Sequence, residues 1–305
     1  MIYTLTLNPA LDYVMDINEV SFGATNRSVS ESFSFGGKGI NVSVILSRLG
    51  IGSTALGFIG GFTGEKLVSE LNEQGIATDF VTLEGRNTRV NVKLRSDGEI
   101  TEINASGPEI TQSDLQKLLE KLDTLQEGDY LLLAGSVPKG IGNVYADIMQ
   151  RLEGRGINFV LDTAGEQLLT ALPYKPFLIK PNRAELEEIM ANELPSEELI
   201  VSAARILQRK GAKNVLVSLG KDGAILLDES GRVHRMDARK ITPVNTVGAG
   251  DSMVAGFIAG YGKGYEFALE LGIAAGAATA ASETLATKSE ILKFMYEKVD
   301  SFENC

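Results

Sequence analysis

The sequence predicts an α/β fold, a mostly parallel sheet with helices on both faces and a small antiparallel sheet beside it. Three observations predict this. Short β-rich runs alternate with helix-period segments along most of the chain. Several of the runs are apolar throughout, as in strands covered on both faces. Residues 12–35 and 88–104, by contrast, alternate with a period of two and have no helical pattern between, which suits hairpins better than central parallel strands.

The elements follow in order. Residues 2–7 alternate and form a first strand. Residues 37–49 carry Ile40, Val44, Ile45 and Leu49 at helical spacing, and Gly50 suits a helix stop. A strand over 54–59 and a helix over 64–72 come next. Residues 130–134, 158–162, 177–180 and 214–219 read as buried strands with helical patterns between them. In residues 250–261, Met253, Val254, Phe257, Ile258 and Tyr261 share one stripe, so that face of a helix is core. Residues 269–281, rich in Gly and Ala, with Glu270 near their start and Glu283 just beyond their end, read as a buried helix.

A chain of 305 residues can form one large α/β domain with an appended smaller element. Its 29 Lys and Arg against 40 Asp and Glu give a net charge of −11, the wrong sign for nucleic acid or an anionic membrane. A local basic site for a small anion remains compatible with that charge. Cys305 is the only cysteine, so no intrachain disulfide can form. The opening residues lack the basic and long apolar regions of a signal peptide, and no run approaches ~18 apolar residues. A cytoplasmic protein without membrane or nucleic-acid partners is expected.

The sharpest motif runs from Asn245 to Asp251 as N-T-V-G-A-G-D, leading straight into a helix. Glycines allow a tight turn and close approach of anionic oxygens. The helix start adds N–H groups without intrahelical partners, making an anion site. A carboxylate beside such a site suits a base that accepts a proton from an attacking hydroxyl; a helix-capping aspartate is the competing explanation. Gly36-Gly37-Lys38-Gly39-Ile40-Asn41 opens the first helix, where Lys38 can meet a phosphate and Asn41 a sugar hydroxyl; an ordinary turn at a helix start is the competing explanation. Arg27 and Arg89 add cations, though surface charge explains either one alone. Lys180-Pro181-Asn182-Arg183-Ala184-Glu185 follows a strand. Asn182 and Glu185 share a helix face and either order the water shell of Mg²⁺ or form a capping box. Ser218, Gly220 and Gly223 close another strand and can border a nucleotide, or simply make a hairpin turn. No G-x-x-x-x-G-K-[ST] occurs, and Met253 replaces the third glycine of G-x-G-x-x-G. His234, the only histidine, excludes a Ser-His-Asp or multi-histidine metal site and is expected to be exposed.

Together these motifs resemble the PfkB (ribokinase-like) carbohydrate kinases over essentially the whole chain. Gly36–Gly39 with Asn41 is similar to the N-terminal family motif, and Asn245–Asp251 to the C-terminal D-T-x-G-A-G-D, with Asn245 departing from the usual aspartate. L-N-P-A-L-D-Y from Leu7, T-R-V-N-V-K from Thr88, E-I-N-A-S-G-P from Glu102 and A-G-S-V-P from Ala134 resemble bacterial 1-phosphofructokinases; tagatose-6-phosphate kinases share much of this.

The resemblance implies one kinase domain, 1–305, of three-layer α/β/α ribokinase-like fold, with a β-sheet lid from segments 12–35 and 88–104. It implies Asp251 as base and the N–H groups of Gly248, Ala249 and Gly250 as stabilisers of the transferred phosphoryl group. Asp12, Gly37 and Asn41 would hold sugar hydroxyls. Lys38 and Arg89, with Arg27 and Ser136, would meet the substrate's existing phosphate. Asn182 and Glu185, assisted by Lys180, would organise Mg²⁺ with ATP. Ser218, Gly220 and Gly223 would border the nucleotide, with Ala275 and Gly276 near adenine. The implied reaction is ATP-dependent phosphorylation of fructose 1-phosphate at its 6-hydroxyl. Alternatives are a tagatose-6-phosphate kinase, or a non-catalytic sugar-phosphate sensor. An exposed edge of the lid sheet offers a route to a homodimer.

Overall fold

The computed structural model describes residues 1–138 and 140–295; Cys305 lies outside them. The chain begins with strands β1 (Ile2–Thr6), β2 (Ala10–Asp16) and β3 (Ser30–Gly36), helix α1 (Lys38–Leu49), strand β4 (Thr54–Ile59) and helix α2 (Gly61–Glu73). Short strands β5 (Ala77–Thr78) and β6 (Val81–Thr82) lead to β7 (Arg89–Ser96), β8 (Glu99–Ile103) and helix α3 (Gln112–Leu122). Then come β9 (Tyr130–Ala134), α4 (Val144–Arg151), β10 (Asn158–Asp162), α5 (Gly165–Ala171), β11 (Leu178–Ile179), α6 (Arg183–Met190) and α7 (Glu197–Arg209). The chain closes with β12 (Asn214–Ser218), β13 (Ala224–Leu227), β14 (Val233–Met236), α8 (Ala249–Gly260), α9 (Tyr265–Ala280) and α10 (Lys288–Lys293).

The main sheet runs β14-β13-β12-β11-β10-β9-β1-β4-β5, with β6 also beside β4. Pairing is parallel from β12 to β5, and β13 and β14 add an antiparallel edge. The pleat explains the apolar runs. Leu131, Leu133 and Leu161 point to one face and pack under Leu118, Ile148, Leu168 and Ile200. Leu132, Ala134 and Val160 point to the other and meet Val42, Val254 and Ala275. Both faces are covered, so the strand interiors are mostly apolar, and buried polar residues such as Thr4 and Asn214 are hydrogen-bonded.

Helix α8 is buried on nearly every side, beyond the single stripe its apolar spacing suggests. It packs between α1 and α9, and glycines let the α8 and α9 backbones touch. A Cβ on Gly256 would stand 2.5 Å from the Leu271 carbonyl oxygen and 2.9 Å from Gly272 Cα. Gly256→Ala is therefore expected to force the helices apart and cost about 1–3 kcal/mol, measured by denaturant unfolding. Gly50 does end α1, in the left-handed conformation at φ 87°.

The second sheet has the order β3-β2-β7-β8 and corrects the expectation of antiparallel pairing throughout. The β2–β3 and β7–β8 pairs are antiparallel hairpins, but β2 and β7 run parallel. The intervening segment from α1 to β6 returns the chain to the same end of the sheet, which parallel pairing requires. His234 is another correction. It is buried, and its Nε2 pairs with Asp228 Oδ2 at 2.7 Å, so the alternation of β14 hides rather than exposes it.

Candidate active site

Strands β1, β9, β10 and β12 end at Thr6, Ala134, Asp162 and Ser218, along one edge of the parallel sheet. Ligands of open α/β sheets bind at carboxyl ends of strands, where loops and helix starts converge. Here the starts of α1 and α8 meet in a cleft of about 1080 Å³, roofed by the inner face of the four-stranded sheet. Gly248 turns into α8 at φ 79°, a conformation that favours glycine, and Gly248 and Gly250 both line the cleft.

Asp251 lies in the first turn of α8 and is only 6 % exposed. Asn41 Nδ2 donates to its Oδ2 at 2.7 Å. Burial, reinforced by the charge of Asp162, pushes its carboxyl up to about 7, against the pull of Asn41, Lys38 and Lys180. The group is thus poised to take up and release a proton near neutral pH.

Asp162, absent from the sequence-based site, organises the floor. It is 1 % exposed, and its Oδ1 lies 3.2 Å from both Lys38 Nζ and Lys180 Nζ. Burial alone would raise its pKa, but the Lys180 and Lys38 ammonium groups outweigh that and hold it ionised. Burial likewise pulls Lys38 down, yet Asp162 and Asp251 leave its pKa raised overall. Lys180 sits against α8, since a Cβ on Gly250 would lie 3.2 Å from its Nζ. Two cations therefore stand beside the start of α8. The signal for Asp162 was available: an aspartate ending a central buried strand is placed where such folds bind ligands.

Asn182 and Glu185 line the same cleft and form the capping box. Asn182 Oδ1 accepts from Glu185 N at 2.9 Å, and Glu185 Oε2 accepts from Asn182 N at 2.8 Å. Each side chain thus has one polar atom committed to the helix start. Among the described residues no group of three His, Cys, Asp or Glu is placed to hold a metal ion. The buried Oδ2 of Asp162, without a hydrogen-bond partner, is a further anionic oxygen there. Such sparse oxygen donors fit a Mg²⁺ ion that keeps its waters and takes most ligands from a nucleotide.

At the other end, Asp12 on β2 accepts from Asn91 Nδ2 at 2.8 Å and pairs with Lys93 Nζ at 2.8 Å. Arg89 lines the cleft, with Nε donating to the Asn8 carbonyl and Nη1 to the Ala105 carbonyl, each at 3.1 Å. Gly37, Lys38, Asn41, Ser136 and Ser218 also line it. Tyr145, fully buried, steadies the Ser136 loop by donating to the carbonyls of Ala134 and Gly135.

Some expected residues stay out. Arg27 is exposed on the turn between β2 and β3 and does not line the cleft. The N–H of Ala249 is directed to the Thr246 carbonyl at 3.3 Å, so it is tied into the turn. Gly220 and Gly223 shape the turn after β12, where a Cβ on Gly223 would stand 2.1 Å from the Met236 carbonyl oxygen. Ala275 is fully buried in α9, and a Cβ on Gly276 would lie 3.1 Å from the Ala249 carbonyl oxygen. None of these four lines the cleft, and Gly220 is exposed with open space around it.

The sequence matches the pfkB family carbohydrate kinase profile over residues 5–291. It is 44% identical over 259 residues to the 1-phosphofructokinase of Bacillus subtilis, covering 85% of this chain and 84% of that protein. It is 39% identical over 260 residues to the D-tagatose-1-phosphate kinase of Bacillus licheniformis, at 85% and 84% coverage. Among solved structures, phosphofructokinase-2 of Escherichia coli, in complex with substrates and products, superposes with a TM-score of 0.90 at 31% identity, covering 96% of this chain and 97% of that one.

Proposed function

Because the chain belongs to the pfkB family of carbohydrate kinases and is a sugar-phosphate kinase that uses ATP, we propose that its acceptor is the 6-hydroxyl of fructose 1-phosphate, giving fructose 1,6-bisphosphate and ADP. The observation that carries this reading is the buried Asp251 at the start of α8, its carboxyl near 7, flanked by two lysines and facing a cleft with a basic roof.

Asp251 accepts the proton of the attacking hydroxyl as the phosphoryl group transfers. The N–H groups of Gly248 and Gly250 and the start of α8 balance charge on that group, and Lys38 and Lys180 flank it. Asp12, Gly37 and Asn41 orient the sugar, with Arg89 and Ser136 toward its phosphate. Asn182 and Glu185 would hold Mg²⁺ through water, and when bound the ion neutralises charge on the ATP phosphates. The four-stranded sheet acts as a lid that excludes water on closing.

Ionised Asp251 is the active form, so kcat/KM for the sugar phosphate should fall tenfold per pH unit below about 7 and level off above it. A flat profile from pH 6 to 8 would oppose a base with that pKa. The same shift has a stability consequence. The folded state holds the proton more tightly than the unfolded chain, so stability is lost as pH rises from the unfolded pKa, about 3.9, toward 7. Asp251→Asn should therefore raise Tm more at pH 8 than at pH 5.

The D-tagatose-1-phosphate kinase relative supports a second reading, the C4 epimer of the same ketose 1-phosphate. ADP release with fructose 1-phosphate, D-tagatose 1-phosphate, tagatose 6-phosphate and fructose 6-phosphate separates them. The highest kcat/KM is expected for fructose 1-phosphate. Preference for either 6-phosphate would reverse the regiochemistry, and binding without turnover would make the chain a sensor.

We further place the enzyme in the cytoplasm, where ATP is supplied; no helix among the described residues is long and apolar enough to cross a membrane. A homodimer through the lid is supported by β8, which among the described residues pairs only with β7 and is exposed along its length. Light scattering should give twice the chain mass; a monomer mass rejects the dimer.

A further inference from the structure

The placement of the cations in the cleft raises the question of which one reads the acceptor's phosphate. Arg27 is exposed and outside the cleft. Lys38 points to Asp162 and feels the charge of Asp251, so its ammonium belongs to the end where the phosphoryl group is transferred. Arg89 spends two of its donor positions on the carbonyls of Asn8 and Ala105.

The lid provides another cation. Parallel pairing of β2 with β7 sets Asp12 opposite Asn91 and Val14 opposite Lys93, and the pleat turns Asn91 and Lys93 to the same face. Lys93 lines the cleft at 17% side-chain exposure, 2.8 Å from Asp12 Oδ2 and 3.7 Å from Glu102 Oε1. A chain of contacts links it to the base. Asp251 touches Asn41 on α1; α1 starts just after Gly36; and a Cβ on Gly36 would lie 3.1 Å from both carboxylate oxygens of Asp12. A hexose with one end at Asp251 and its hydroxyls on Asp12 thus carries its far end toward Lys93.

We propose that Lys93 is a specificity-determining residue that binds the acceptor's existing phosphate, exchanging its ion pair with Asp12 for the phosphate while Asn91 keeps Asp12 oriented toward the sugar hydroxyls. This rests on the sugar-phosphate kinase reading above. The exchange removes a counter-ion from Asp12 only when a phosphate arrives to take the ammonium. It therefore favours phosphorylated over unphosphorylated ketose.

The test is steady-state kinetics of Lys93→Met and Lys93→Arg with fructose 1-phosphate and with fructose, alongside the KM for ATP. Lys93→Met is expected to raise KM for fructose 1-phosphate by about ten- to a hundredfold, the loss of one charge-assisted hydrogen bond. KM for ATP should stay within about twofold. The preference for fructose 1-phosphate over fructose should shrink by the same factor as the KM rise, and Lys93→Arg should restore most of it. An unchanged KM for fructose 1-phosphate overturns the proposal. So does an equal loss with both sugars, because Lys93 would then act only through Asp12. Wild-type enzyme that does not prefer fructose 1-phosphate to fructose would instead overturn the substrate reading itself, so the two failures are distinguishable.

Discussion

Asp251→Asn is expected to lower kcat by about 10²–10⁴-fold, the usual cost of losing a general base. The substitution preserves shape. An asparagine carbonyl can still accept from Asn41 Nδ2, whose bond to the carboxylate is 2.7 Å. KM for both substrates should change little, because the lost interaction acts on a proton that moves only as the reaction proceeds. The limb of the pH profile near 7 should disappear with the carboxylate. Near-normal turnover in the variant would remove Asp251 from the chemistry.

Asp162→Asn should have the next largest effect, on both folding and rate. The wild-type carboxylate sits between two ammonium groups, and Lys180 is itself only 5 % exposed. Removing the negative charge leaves a buried cation without its counter-ion, a loss of about 3–5 kcal/mol in comparable buried pairs. Denaturant unfolding measures it. The same change takes away one of the two influences that raise the Asp251 carboxyl, so the acid limb of the pH profile should move to lower pH. It should also loosen both lysines and lower kcat. A variant as stable as wild type, with its acid limb unmoved, would show that the three charges do not act as a unit.

Much of this was legible in the sequence, for identifiable reasons. The two glycine motifs were readable because a helix start that approaches anions needs glycine at fixed positions, and both lie at the cleft. The buried strands were readable because parallel strands covered on both faces admit almost no polar residue. Asp162 was passed over because its place at the end of a buried strand marks it only as near the ligand edge and names none of its partners. Its importance comes from Lys38 and Lys180, 124 and 18 residues away, respectively, in the chain and joined only by the fold. The sense of β2–β7 pairing escaped for a similar reason, since period-two alternation marks a strand but not its direction.

Arg27 and Lys93 show the same limit from opposite sides. Both are cations in the segments forming the four-stranded sheet, and composition cannot rank them. Register does, turning Lys93 inward beside Asp12 while the turn between β2 and β3 leaves Arg27 outside. His234 likewise looked exposed in a charged strand, yet Asp228 gives it a buried partner.

The central claim is that this chain moves a phosphoryl group from ATP to the 6-hydroxyl of fructose 1-phosphate. The most direct measurement is ³¹P NMR of the product formed from Mg-ATP and fructose 1-phosphate by purified enzyme. The account predicts stoichiometric ADP and fructose 1,6-bisphosphate, the original phosphate remaining at C1. ADP formed with inorganic phosphate and unchanged sugar phosphate, or no turnover at all, would contradict it.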